Sequence, residues 1–247
     1  MPSCDSPCCG FCKHCACEHS LPAEPAIQAA EELMQSLQQH TRIDFEQTQT
    51  RQEKLSTDFL YGEARGKMFG VLVCENTTGT QVILKAFSGQ YNGLWEVHGW
   101  VPPLFSVHDF WQLLTPIEKE IKTLGRKLEL LKKGSVEQQK TIRKRKELSQ
   151  RLMKQIHDLY HLHNFNNQHC ALTDLFPKGQ GIPTGTGDCC APKLLNFAAK
   201  NHLRPLALAE FYWGKTNKSN TRTQGVLYPA CKDKCSPILG FLLCGIQ

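Results

Sequence analysis

The sequence predicts an α/β fold: a mixed sheet flanked by helices, with an antiparallel coiled-coil hairpin of two helices inserted into it. Three observations carry that prediction. Apolar residues follow a helical period over residues 25–39, then switch to strand-like runs between residues 69 and 87. Ile117, Ile121, Leu124, Leu128 and Leu131 recur at 4-3-4-3 spacing, the seam of a coiled coil. After residue 188 a helix pattern, an apolar strand run and a second helix pattern follow one another.

The elements read as follows. Residues 1–20 are too short for a core and form a cysteine-rich unit that metal would have to hold. Residues 21–60 are helix and linker: Ile27, Ala30, Leu33 and Leu37 share a helical face, and 40–58 are polar. The α/β body spans 61–247. Phe69–Cys74 and Gln81–Phe87 flank a Thr-Gly turn as a β-hairpin, and Leu94–Trp100 is a candidate third strand, stopped by Pro102-Pro103. The helical hairpin covers 115–163. Thr115-Pro116-Ile117-Glu118 supplies a capping box for its first helix, and Ser135-Val-Glu-Gln138 caps the second, whose seam is Ile142, Leu152, Ile156 and Leu159. Past a loop at 177–187, Asp188 is expected to cap a helix over Cys189–Lys200. Leu206–Tyr212 reads as a buried strand and Cys231–Leu243 as a last helix.

Of 247 residues, 40% are apolar and 21% charged, the composition of a globular chain and not a disordered one. No run approaches the roughly 20 apolar residues of a membrane helix, and the first twenty residues lack the apolar stretch of a secretory signal. The chain is therefore expected in the cytoplasm, away from membranes. There its thirteen cysteines would be thiols or metal ligands, seldom disulfides.

The cysteines fall into two sets. At the C-terminal end, Cys189 or Cys190 opens one helix, and Cys231 and Cys235 lie four apart at the start of another. Residues at i and i+4 share a helix face, so two thiolates can take adjacent corners of a zinc tetrahedron. A helix N-terminus also favours a thiolate. Three sulfurs leave a fourth position open, as in catalytic zinc sites. The plainer alternative is small buried residues at tight packing contacts. At the N-terminal end, Cys9, Cys12, Cys15 and Cys17, with His14 and His19 nearby, could hold one zinc ion or an iron–sulfur cluster. Cys74 and Cys170 stand apart and read as buried small hydrophobes.

A β-hairpin, a helix opening on Cys, a strand, and a helix opening on paired Cys is the order of the zinc-dependent nucleobase deaminases. Gly187-Asp-Cys189-Cys-Ala191-Pro192-Lys193 resembles a variant of their first motif, and Ala86-Phe87-Ser88-Gly89 resembles the end of their second strand. The resemblance implies a deaminase-like sheet. It also places Ala191 where those enzymes carry the glutamate that moves the proton, which implies no deaminase chemistry; Glu210 is the one conceivable substitute.

A closer resemblance spans most of residues 62–244. The segments Thr184–Lys200, Leu203–Gly214 and Tyr228–Gly240, with Met68–Val73, Phe87–Gly89 and Trp100–Phe105, are similar to the N-terminal accessory domain of bacterial RluA-type pseudouridine synthase fusions. The His-Arg-Leu-Asp motif of their catalytic domain is absent from these residues. The resemblance implies an RNA-modification setting, with tRNA or rRNA and a separate pseudouridine synthase as partners. The competing class is an enzyme, either a divergent zinc deaminase or a synthase-related protein.

Charge points the same way. Residues 117–155 hold thirteen Lys and Arg against five Glu, whereas the rest of the chain holds 16 against 18 acidic residues. Lys140, Arg143, Lys144, Arg145, Lys146 and Arg151 are candidate RNA contacts, since a basic helix can follow a phosphate backbone without reading sequence. A solvated helical arm is the bland alternative. His157, His161 and His163 read as exposed or capping, and the aromatics Trp95, Trp100, Trp111, Tyr212 and Trp213 as mostly core. A thiol hydrolase using Cys189 or Cys190 with His202 is a further, weaker reading.

Overall fold

The computed structural model describes residues 8–46, 52–177 and 179–246. It is mixed α/β, with five α-helices and antiparallel sheets among the described residues. In chain order the elements are β1 (Cys8–Cys12), β2 (Cys17–Leu21), α1 (Glu24–His40), β3 (Lys67–Glu75), β4 (Gln81–Phe87), α2 (Val107–Leu130) and α3 (Val136–Asp158). There follow β5 (His161–His163), β6 (His169–Ala171), α4 (Cys190–Lys200), β7 (Arg204–Trp213), β8 (Leu227–Tyr228) and α5 (Lys232–Leu242). No helix among the described residues is long and apolar enough to cross a membrane. Two compact units emerge. One draws on the described parts of Met1–Leu104, Leu162–Cys170 and Gly185–Gln247; the other draws on Phe105–His161 and the described parts of Ala171–Thr184.

In the first unit the central sheet has the order β4-β3-β7-β8. The expected mixed sheet is antiparallel at every pairing. The reason is the crossover through α4, which carries the chain from β4 past β3 to the other side. The two parallel strands, β4 and β7, are thus separated by β3 and never pair. Strand β3 is buried on both faces. Phe69, Val71 and Val73 join Ala207, Ala209, Phe211 and the α1 residues Ala26, Ala30, Leu33 and Leu37 in one core. On the other face Gly70 passes so close to α4 that a Cβ there would sit 2.6 Å from the Cys190 Cβ.

Several expectations change. The cysteine-rich N-terminus is no separate unit: β1 and β2 pair in register, and β1 lies on α5 with Gly10 against the Gly240 backbone. A side chain at either glycine would overlap the other strand of backbone. Leu94–Trp100 is not a strand: a Tyr91–Leu94 bridge closes the turn that leads into it, and the residues after it run irregularly to a second turn at 98–99. Asp188 does not cap α4; Cys189 holds the N-cap position.

The supposed linker is also partly core. Ile43 and Leu55 are buried, and the Trp100 indole donates to the Ile43 carbonyl at 2.9 Å. Next to Ile43, Arg42 grips Asp44 with two bonds of 2.7 and 2.8 Å and donates to the Gln52 carbonyl at 2.6 Å. Burial pushes the Asp44 carboxyl up, but the Arg42 guanidinium outweighs it and holds the group below its ordinary value. An Arg42→Met variant should therefore lose about 2 kcal/mol at neutral pH, between the values for exposed and buried pairs. Asp44 contributes its stability above the unfolded carboxylate pKa and loses it as pH falls through the lower folded value. The gap between wild type and variant should thus close below about pH 4 in urea titrations.

In the second unit α2 starts eight residues before the expected capping box. Ser106 accepts from the Asp109 amide and caps the helix, and Pro116 lies inside it. Ser135 caps α3 in the expected way, accepting from the Gln138 amide. Ion pairs Lys127–Glu137 and Lys144–Glu120 join the two helices, which places them antiparallel. The inward face of α3 differs from the expected seam. Leu152 and Ile156 are buried as expected, with Thr141 and Leu148 beside them, whereas Ile142 is 50% exposed. Thr141 turns inward because its hydroxyl is satisfied by the Glu137 carbonyl at 2.8 Å.

Candidate metal centres

Two groups of metal-ligating side chains assemble among the described residues. In the first, the ligand atoms of Cys189, Cys231 and Cys235 all lie within 4.8 Å of one another. Cys189 and Cys231 are the N-cap residues of α4 and α5, and Cys235 sits one turn into α5. Two helix N-termini thus converge on three sulfurs, where positive dipole ends favour thiolates. The Cys231 thiol is driven down, first by the bonds it receives from Cys189 and Cys235 and also by the Lys234 and Cys235 amides. Cys189 is correspondingly driven up. A dication would hold all three sulfurs as thiolates. No fourth Cys, His, Asp or Glu joins this group among the described residues.

The choice left open between Cys189 and Cys190 is settled by where α4 begins. Cys190, its first residue, points inward, fully buried, with its sulfur bonded to the Met68 and Ala86 carbonyls. Burial raises its thiol well above the ordinary value. Its sulfur lies outside the three-sulfur group.

Around this centre the chain buries two ionisable groups. Lys193, 1% exposed, donates to the Phe87 and Gly89 carbonyls, each at 2.9 Å, and its ammonium lies 4.7 Å from the Phe87 ring centre. Glu210 on β7 is 3% exposed and accepts from the Ala191 amide at 2.8 Å. Burial raises its carboxyl to about 8. The residue two past Cys189 is thus an alanine, and a carboxyl group from the neighbouring strand reaches its amide instead.

The second group is Cys12, Cys15, His19 and Cys244. Cys12 ends β1, Cys15 lies in the turn, His19 sits on β2, and Cys244 follows α5. Cys9 and Cys17, both expected ligands, do not join it. Cys17 is exposed and directs its sulfur to the Cys15 carbonyl at 3.3 Å. Cys9 and Cys12 stand three apart on β1, so their side chains take opposite faces of the strand and Cys9 is left out of the group. His14 instead packs edge-on against Phe241, ring centres 5.3 Å apart.

No family model, no curated protein and no solved structure matches this chain.

The remaining candidates separate by exposure. Lys140, Arg143, Lys144, Arg145, Lys146 and Arg151 are all exposed on α3. Arg143 pairs with Glu147 and Lys144 with Glu120, whereas Lys140, Arg145, Lys146 and Arg151 make no ion pair among the described residues. Trp100, Tyr212 and Trp213 are core, as is Trp95, and only Trp111 of the five is exposed, at 42%. Cys74 is fully buried; Cys170 is only partly so. His157, expected at the surface, is buried, and its Nε2 has no hydrogen-bond partner.

Proposed function

We propose that this protein is a non-catalytic RNA-binding accessory factor on a deaminase-like scaffold, acting with RNA pseudouridylation and holding zinc through Cys189, Cys231 and Cys235. The observation that carries the RNA-binding reading is the face of α3. Six basic side chains are exposed within twelve residues, and four of them have no acidic partner among the described residues. A solvated helix needs no such excess; a phosphate backbone neutralises it. Tetrahedral sulfur coordination suits zinc. The resemblance to pseudouridine synthase fusions suggests tRNA or rRNA as the bound species, a separate synthase as partner and the cytoplasm as the place. The test is photocrosslinking of the full chain to tRNA and to rRNA fragments, with peptides mapped by mass spectrometry. Crosslinks within 140–151 support the reading. Absence of binding to either RNA at physiological salt overturns it.

One observation favours a catalytic alternative. Glu210 is a buried carboxyl that keeps its proton near neutrality, on the strand beside the three-sulfur centre. Were it a proton shuttle, cytidine or adenosine in single-stranded RNA would be deaminated, and Glu210→Gln would abolish turnover. The non-catalytic reading expects no turnover from either protein.

A further inference from the structure

The geometry points to a second zinc ion, four-coordinate and closed, held by Cys12, Cys15, His19 and Cys244, which fastens the N-terminal hairpin to the far end of α5. Two sulfurs bound at about 2.3 Å to one tetrahedral zinc lie about 3.8 Å apart. The Cys15 and Cys244 sulfurs are 3.6 Å apart, and the Cys15 sulfur is 3.1 Å from His19 Nε2. All four ligand atoms fall within 4.8 Å of one another. An iron–sulfur cluster would hold its ligands farther apart, around several metal atoms. Cys12 and Cys15 have the Cys-x2-Cys spacing of structural zinc sites, and the following Ala16 takes a left-handed φ of 54°. A non-glycine residue in that region marks a turn held in shape by its surroundings.

Supporting contacts are also in place. Asn166 directs its side-chain N–H at the Cys244 sulfur at 3.5 Å, and the Phe165 amide donates to the Cys244 carbonyl at 2.9 Å. Such outer contacts orient metal ligands. Cys12 and Cys244 are buried while Cys15 is exposed, so an ion has a path in from solvent. Binding exchanges the thiol protons of Cys12, Cys15 and Cys244 for the metal and leaves His19 neutral, coordinating through Nε2.

The inference does not depend on zinc at Cys189, Cys231 and Cys235. Its consequence for α5 is mechanical. That helix contains Pro237 and Gly240, both poor residues for a helix interior, and one candidate centre stands at each of its ends.

The test is the zinc content of the full chain, measured by elemental analysis. Wild type should carry two zinc ions per chain, and His19→Ala or Cys15→Ser should carry one. His19→Cys, which keeps four ligands, should restore two. These positions are exposed or half-buried, and far-UV circular dichroism checks that each variant is folded. If wild type holds one ion that Cys189→Ser/Cys231→Ser/Cys235→Ser retains and His19→Ala loses, the second centre stands while the zinc assigned to the first fails. One ion lost by the triple variant but kept by His19→Ala overturns the second centre. Denatured, zinc-stripped protein that shows two thiols fewer without reductant than with it, with the missing pair mapped to Cys15 and Cys244, would reveal a disulfide between them and overturn it as well.

Discussion

Stripping metal from the folded protein with a chelator is expected to lower its melting temperature by about 8–16 °C and to expose α5 to protease. Structural zinc contributes about 10–16 kcal/mol in small domains that have little else. A body with its own core needs it less; a third of that figure, ~4 kcal/mol, shifts the midpoint of a chain this size by the stated range. The loss should concentrate in α5 because Cys231 and Cys235 form its first turn and Cys244 follows its last. Pro237 and Gly240 weaken that helix by about 3 and 1 kcal/mol relative to alanine, so docking must supply what propensity does not. Its partners are β1 and α4, and β1 approaches at Gly10 and Gly240, where backbone meets backbone. Limited proteolysis should cut within 227–246 only after chelation, and added zinc should restore resistance. A midpoint unchanged by chelation would show that the cysteines are packing residues.

What could be read from the sequence divides along a physical line. Elements specified by local pattern are in place: α1, the β3–β4 hairpin, α4, β7 and the Ser135-capped α3 all follow from periodicity and end signals within a dozen residues. The pairing of Cys231 with Cys235 was legible for the same reason, since i and i+4 share a helix face. Choosing Cys189 over Cys190 needed the start of α4 to within one residue, and sequence does not fix a boundary that closely. The N-terminal ligand set could not be read locally at all. Cys244 reaches Cys15 across 229 positions because β1 packs on α5, and nothing around either cysteine announces the other. His19 joins the group and Cys17 does not, although the two share a face of β2, because the Cys17 sulfur turns to the Cys15 carbonyl. The seam of α3 failed at Ile142 for another reason. Hydrophobicity favoured Ile, but Thr141 satisfies its hydroxyl within the helix and takes the inward position.

Replacing Arg143, Lys144, Arg145 and Lys146 together with Gln is expected to weaken RNA binding on many unrelated sequences by similar factors. The net charge of residues 117–155 falls from +8 to +4. Glu147 and Glu120 lose the partners they hold in the free protein and become repulsive toward phosphate. Each phosphate contact on single-stranded RNA contributes about 0.7 to the slope of log affinity against log salt. If all four side chains reach phosphates, the slope flattens by about 3. The deficit relative to wild type should then be about 50-fold larger at 50 mM than at 200 mM salt. A purely structural role for these residues predicts neither change. The fold should survive, because the four side chains are exposed and the inward residues Thr141, Leu148, Leu152 and Ile156 are untouched. Gln is also a good helix former, so helicity by circular dichroism should match wild type. Sequence-dependent losses would mean that these residues read bases instead. An unchanged affinity and an unchanged slope would make α3 a solvated arm, and RNA binding would have to be sought elsewhere on the chain.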